Sequence, residues 1–300
     1  MKFWLSLMPI KETGQLTEIA RFAEELGYHG ITMADHLVMP TRFESRYPYT
    51  ADGKIWWPPD TPWLDPWIAL AAMGTTTRRL KLGTNIYLGA LRDPFTVAKA
   101  VATLTALCGN RVMCGLSVGW IKEEYDLAGI DFPSRGRRMD ELITVMKKLW
   151  TGQDVSHQGE FFRFEHAVMH PAPDEPIPVW CGGSSPPALR RAALNDGWLG
   201  VPLSLAQLKP VLASMQETRR AVGLPLATFS PCVALAQALK PAAVEELQAL
   251  GVQDTTCIAP WMLSPWGATR WIDDGDDVRD LDVRKKAMDR FANIVIRQFA

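Results

Sequence analysis

The 300-residue sequence has no apolar run of 18 residues, and no basic stretch followed by an apolar one stands at its start. The first absence excludes a membrane-spanning helix by length, and the second argues against a secretory leader, so a soluble cytoplasmic protein is the expectation. Net charge is lacking too. A formal balance of -1 offers no electrostatic pull toward nucleic acid or an anionic membrane, and neither is expected as a partner. Cysteine is scarce. The five are an odd number without close pairs, and Cys114, Cys181, Cys232 and Cys257 each fall in an apolar strand-like run, as small buried hydrophobes in a reducing compartment do. Familiar catalytic signatures are missing as well: no His pair at helical spacing for a metal, no Gly-x-Ser-x-Gly elbow, no Cys-x-x-Cys, no Walker or dinucleotide glycine loop. His166 and His170 are four apart, but Pro171 and Pro173 place them in a loop. Hydrolytic, thiol and metal-dependent chemistry lose ground, and no metal is expected.

What the sequence does contain is alternation. From Leu80 to Leu88 and from Arg111 to Trp120, β-rich apolar runs are each followed by an amphipathic run of helical period, Phe95 to Leu107 and Arg135 to Trp150. Such pairs imply parallel strands joined by crossover helices. The same alternation covers the chain. Strands are expected at Phe3 to Met8, Gly30 to Ala34, Ile177 to Cys181, Trp198 to Val201, Phe229 to Leu235 and Thr255 to Ile258. Helices are expected at Gln15 to Glu25, from Asp65-Pro66 onward, and at Ala188 to Asn195, Leu205 to Val222, Ala242 to Leu250 and Val283 to Gln298. Eight strand and helix pairs in 300 residues predict an α/β protein, a (β/α)8 TIM barrel with loop insertions, in one domain spanning 1–300. Two insertions interrupt it: a Pro-rich excursion from Asp35 to Pro62, and a small hairpin within Gly152 to Pro178.

In such a barrel, ligands meet the carboxyl ends of the strands. Those ends carry Asp35 and His36, then Asn85 and Ile86, then Ser117, Val118, Gly119 and Trp120, then Gly182, Gly183 and Ser184. His36 can exchange a proton near neutral pH, with Asp35 orienting it or capping the loop; it can equally be a hydrogen-bonded core residue. The Gly182-Gly183-Ser184-Ser185 loop can cradle a phosphate with its backbone N–H groups and the following helix, or can be an ordinary turn with Ser as N-cap. Lys122, Glu123 and Glu124 read as a solvated acidic loop, and Arg135, Arg137 and Arg138 are expected to pair with Glu123, Glu124 or Asp140. Two Trp clusters, Trp56, Trp57, Trp63 and Trp67, and Trp261, Trp266 and Trp271, either enclose a site or pin their loops to the body. Arg270 and Arg279 can reach a phosphate, but such residues are more often surface charges.

Several of these elements, in this order and spacing, resemble the luciferase-like monooxygenase superfamily and within it the branch that uses the deazaflavin coenzyme F420. They are Ala34-Asp-His-Leu37, Leu82-Gly-Thr-Asn-Ile86, Arg92-Asp-Pro94, Gly109-Asn-Arg111, Ser117-Val-Gly-Trp120 with Glu123-Glu-Tyr125, Gly129, Arg135-Gly-Arg-Arg138, Glu141 and Pro178-Val-Trp-Cys-Gly-Gly183. The resemblance runs from Phe3 to about Val201. It implies a cis peptide between Asn85 and Ile86 backing the cofactor ring, Val118-Gly119 and Gly182-Gly183-Ser184 along the ribityl and phosphate tail, and His36 near the reacting carbon. Asp35, Asn85, Ile86 and Ser117 complete the implied cofactor seat, and a homodimer is common among such proteins. A ring cofactor with an anionic tail needs a rigid wall, anion donors and an open face, and the strand ends with the Trp loops can supply these.

One departure bears on substrate. Sugar-phosphate dehydrogenases of that branch carry an acidic residue where this chain has Trp120 and a Trp where it has Pro40, which argues against sugar-phosphate oxidation and for an apolar or aromatic small-molecule substrate. Two rivals stand beside the F420-dependent oxidoreductase. One is an FMN-dependent monooxygenase using oxygen and reduced FMN from a separate reductase; the other is a barrel that binds a flavin without turnover.

Overall fold

The computed structural model describes residues 1–58, 60–262 and 271–300; Trp266 and Arg270 lie outside them. Eight parallel strands close into a barrel: β1 (Lys2–Leu7), β2 (Gly30–Met33), β3 (Lys81–Thr84), β4 (Val112–Leu116), β7 (Val179–Gly182), β8 (Gly197–Leu199), β9 (Ser230–Val233) and β10 (Asp254–Ile258). Each pairs with its sequence neighbours, and β1 pairs with β10 to complete the ring. This is the (β/α)8 fold expected from the alternation. The remaining two strands, β5 (Val155–Gln158) and β6 (Arg163–Ala167), form the antiparallel hairpin expected between residues 152 and 178.

Helices lie where the periodicity places them, and their starts follow from capping chemistry. The Asp65 side chain accepts from the backbone N–H of Trp67 (2.9 Å) and Ile68 (3.2 Å), with Pro66 as first residue of α2 (Pro66–Thr75). Asp93 caps α3 (Pro94–Cys108) in the same way, again with Pro first. Such caps contribute about 1 kcal/mol each. After α1 (Leu16–Glu25), Gly27 adopts φ +86°, the left-handed conformation that stops a helix.

One element was not expected. Lys122–Leu127 forms a short helix, α4, where the sequence reads as a solvated loop. Six residues do not nucleate a helix alone. Tertiary contacts hold this one, since Tyr125 and Glu124 are both buried. The next helix is α5 (Arg135–Leu149), followed beyond the hairpin by α6 (Pro186–Ala193), α7 (Leu205–Ala221), α8 (Pro241–Ala249) and α9 (Leu281–Phe291). Among the described residues no helix is long and apolar enough to cross a membrane. All five cysteines are free and buried.

The two ends of the barrel differ. Below the carboxyl ends of the strands the interior is plugged by Trp4, Trp180, Met113 and Cys232, with Leu199 at the end of β8 packed on them. Gly30 and Gly197 make room for these rings: a Cβ at Gly30 would lie 2.4 Å from the Trp4 ring, and one at Gly197 2.5 Å from that of Trp180. Asp254, buried, accepts from Trp4 Nε1 (2.9 Å), and His29 packs edge-on against the same indole. At the carboxyl ends the interior opens into a cavity.

Candidate cofactor and substrate cavity

The cavity has a volume of about 480 Å³, within the usual range for small-molecule sites. All ten residues singled out from the sequence line it: Asp35, His36, Asn85, Ile86, Ser117, Val118, Gly119, Gly182, Gly183 and Ser184. They come from the ends of β2, β3, β4 and β7, so neighbouring strands of the barrel bring them together.

The end of β3 builds one wall. The Asn85–Ile86 peptide is cis. The chain after it is pinned by Leu88 N–H donating to Asp35 Oδ2 (2.9 Å) and Tyr87 N–H donating to Gly115 O (2.9 Å). Asp35 also takes a two-pronged bond from Arg92, at 2.7 and 2.9 Å, and the guanidinium lies over the Tyr87 ring. Thus Asp35 fixes the turn after β3, while His36 is oriented by another group. Ile86 leans toward β7, and the glycine there leaves it room: a Cβ on Gly182 would be 2.1 Å from Ile86 Cδ1, and the methyl would have to move. Gly119 at φ +71° and Gly183 at φ +108° turn the backbone in a region that side chains disfavour, leaving open cradles beside that wall.

His36 is held by a residue that the sequence reading treated as solvated. Its Nδ1 lies 2.9 Å from Glu124 Oε2, and both side chains are buried, 7% and 1% exposed. Glu124 Oε1 accepts from the backbone N–H of Leu37 (2.7 Å) and Val38 (3.3 Å). A carboxylate only accepts, so the Nδ1 that faces it carries a proton. Glu124 is the functional residue that sequence reasoning missed; the signal was two carboxylates directly after the Ser-Val-Gly-Trp turn.

Aromatic rings from the 35–62 excursion, and Trp63 directly after it, surround the imidazole. Trp63 meets it edge-on at 4.6 Å and Trp57 lies at 6.0 Å. Tyr47 packs on Trp57 (5.1 Å) and on Trp120 (5.3 Å). The buried indole N–H groups of Trp57 and Trp63 find no acceptor among the described residues. Neighbouring rings stand nearly perpendicular to both indoles. Burial pushes the Tyr47 phenol up to about 12 and raises Tyr49, so the wall stays uncharged. The first Trp cluster therefore encloses the cavity, except Trp67, which is buried in α2 against Tyr87. In the second cluster, Trp261 packs against Arg284 and Trp271 against Phe291.

Arg135 is the one Lys or Arg among the described residues that line the cavity. Its Nη1 donates to Phe132 O (2.8 Å), the guanidinium lies 3.7 Å from the Phe132 ring centroid, and Nε has no acceptor among the described residues. The expected pairing of the Arg cluster with Glu123, Glu124 or Asp140 does not occur. Arg137 pairs with Glu160 of the hairpin, Arg138 donates to Ala90 O and lies over Phe162, and Asp140 is taken by Arg191. Pairing across the fold overrides proximity in sequence. The Gly182–Ser185 loop also differs from the expected helix-end anion site. Pro186 and Pro187 open α6, so its first two residues offer no N–H, and the Ser185 side chain makes no cap bond. Donors there are confined to the loop itself. Arg279 lies away from the cavity, paired with Asp277. No group of three or more His, Cys, Asp or Glu that could hold a metal occurs among the described residues.

A family model described as luciferase-like monooxygenase matches residues 5–287. An uncharacterised protein of Mycobacterium bovis is 36% identical over 205 residues, 68% of this chain and 71% of that protein. An F420-dependent glucose-6-phosphate dehydrogenase of Nakamurella multipartita is 32% identical over 190 residues, 62% of this chain and 51% of the relative, so the match spans about half of that enzyme. The crystal structure of the monooxygenase RslO1 from Streptomyces bottropensis superimposes with a TM-score of 0.76 over 100% of both chains at 18% identity, a likeness of fold.

Proposed function

The chain belongs to the luciferase-like monooxygenase family and is an oxidoreductase, and from that premise we propose that it transfers hydride between coenzyme F420 and a neutral, apolar or aromatic substrate. The observation that carries the proposal is that one cavity is lined by two chemistries: uncharged aromatic rings around His36, and glycine turns together with Arg135, whose Nε has no acceptor among the described residues. The residues fit such a cofactor. The Ile86 shelf can back a planar ring, the turns at Gly119 and Gly183 let an extended tail lie against backbone, and Arg135 supplies the charge that an anionic tail requires.

When bound, the deazaflavin supplies a ring carbon that gives or accepts hydride. The chain supplies the proton side. As hydride leaves an alcohol carbon, His36 Nε2 takes the hydroxyl proton; in the reverse direction it returns a proton to the carbonyl oxygen. Glu124 keeps the imidazole in the tautomer that allows this, and the Trp wall excludes water from the reacting atoms. Trp120 and Pro40 stand where the sugar-phosphate dehydrogenases have an acidic residue and a Trp. In this chain Trp120 extends the neutral wall through Tyr47 and Phe43.

Included in the same proposal are one domain throughout, a cytoplasmic homodimer and, in the FMN alternative, a separate reductase. Titrating the purified protein with F420 and with FMN, following fluorescence quenching, should show tighter binding of F420, with turnover lost in His36→Ala. Oxygen consumption supported by reduced FMN would overturn it in favour of a monooxygenase. Ring binding with no turnover of any neutral alcohol or ketone would favour a non-catalytic barrel.

A further inference from the structure

We propose that Glu123 and Glu124, adjacent on α4, are positioning residues that clasp the aromatic segment at two points and so set where substrate meets the imidazole. The inference builds on the reading of His36 and the Trp wall given under Proposed function.

Adjacent helical residues point about 100° apart and do not ordinarily serve one partner. Here both reach the 35–62 segment because it passes α4 twice. Glu124 takes the first pass, accepting from His36, Leu37 and Val38. Glu123 takes the second, accepting from Glu44 N–H (2.7 Å), Ser45 N–H (3.2 Å) and the Ser45 hydroxyl (2.6 Å). The Ser45 hydroxyl in turn accepts from Lys122 N–H (3.0 Å), which closes the clasp.

The tie has two consequences. Trp120 lies two residues before α4 and packs on Phe43 and Tyr47, so the turn carrying Ser117 to Gly119 and the substrate wall are braced through one short helix. Glu123 also stays charged. Burial raises its carboxyl, but the bonds from Ser45 and the Glu44 and Ser45 amides prevail and hold it at about 2, so the clasp does not release across the working pH range. The two residues then separate in effect: Glu124 governs the imidazole, and Glu123 governs only the placement of the rings. His36 is faced by Glu124 from α4, by Asp35 with its Arg92 partner, and by the neutral rings of Trp57 and Trp63.

The test uses the cofactor-free full chain, so failure of the deazaflavin reading leaves it intact. Nitrogen-15 spectra of the histidines should show His36 as the Nδ1-protonated tautomer, and Glu124→Gln should mix the tautomers. With acetophenone as a neutral aromatic probe, Glu123→Ala should weaken binding about fivefold, the loss of roughly one hydrogen bond's ordering. The variant should also speed amide exchange as far as Trp56 and Trp57. Ser45→Ala, a milder change, should show the same pattern to a smaller degree, and Glu123→Gln, which keeps an acceptor, should recover part of the loss. An unaltered His36 tautomer in Glu124→Gln, or unaltered acetophenone affinity in both Glu123→Ala and Ser45→Ala, would overturn the clasp.

Discussion

The two ends of the barrel use the same three kinds of group, Trp rings, a histidine and a buried carboxylate, and arrive at opposite results. At the amino end the carboxylate of Asp254 is spent on an indole, Trp4 Nε1, and His29 packs on that ring with no carboxylate of its own. Burial, then the charges of Lys2 and Lys81, drive the His29 pKa down to about 4, so it is neutral where the protein works. At the carboxyl end the carboxylate of Glu124 goes to the imidazole, and the buried N–H groups of Trp57 and Trp63 beside the cavity have no acceptor among the described residues. Residue type does not separate stability from chemistry here. The partner of the carboxylate does.

The comparison breaks most visibly if the two histidines prove interchangeable. His36→Ala should lower turnover by about 100-fold or more, the usual contribution of a general acid or base, with F420 affinity retained, whereas His29→Ala should leave turnover intact. Next in size, Asp254→Ala strands the Trp4 N–H in the plug and should cost about 1 to 3 kcal/mol in urea unfolding, with cofactor affinity unchanged. A loss of cofactor affinity there would show that the plug and the cavity are not separate.

A third effect is pH-dependent. His29 has a folded pKa of about 4 against 6.5 for the free side chain, so between those values the unfolded chain binds more protons. Its contribution is therefore complete above pH 6.5 and is lost progressively as pH falls toward 4. Urea midpoints measured across that window should decline in the parent chain and decline less in His29→Gln. The smallest effect sharpens the upper end. Trp63→Phe keeps a ring against His36 and should change acetophenone affinity by no more than one aromatic contact, about 0.5 to 1.5 kcal/mol, measured by titration.

Much of this was legible from the sequence because it is written locally. Strand and helix periods, the Asp65-Pro66 helix start and the glycine at Gly27 depend on neighbours a few residues away, and eight repeats of that grammar specify a barrel. The ten cavity residues were legible for a related reason: strand ends in a barrel share one face. Glu124 was not, because its partner His36 lies 88 residues away, and six residues of α4 are too few to show a period. The Arg cluster failed likewise. Nearby carboxylates at Glu123, Glu124 and Asp140 suggested partners, but Arg137 found Glu160 in the hairpin, and Arg191, 51 residues on, claimed Asp140.

Ile86 belongs to both ends. Its side chain packs against the Trp4 and Trp180 plug, and the same residue lines the cavity beside Gly182. A methyl group so placed is a natural spectroscopic reporter: carbon-13 labelling of the Ile86 Cδ1 gives a resonance that an arriving aromatic ring shifts by its ring current. Cofactor loading can then be read from the protein alone, without optical absorption or turnover.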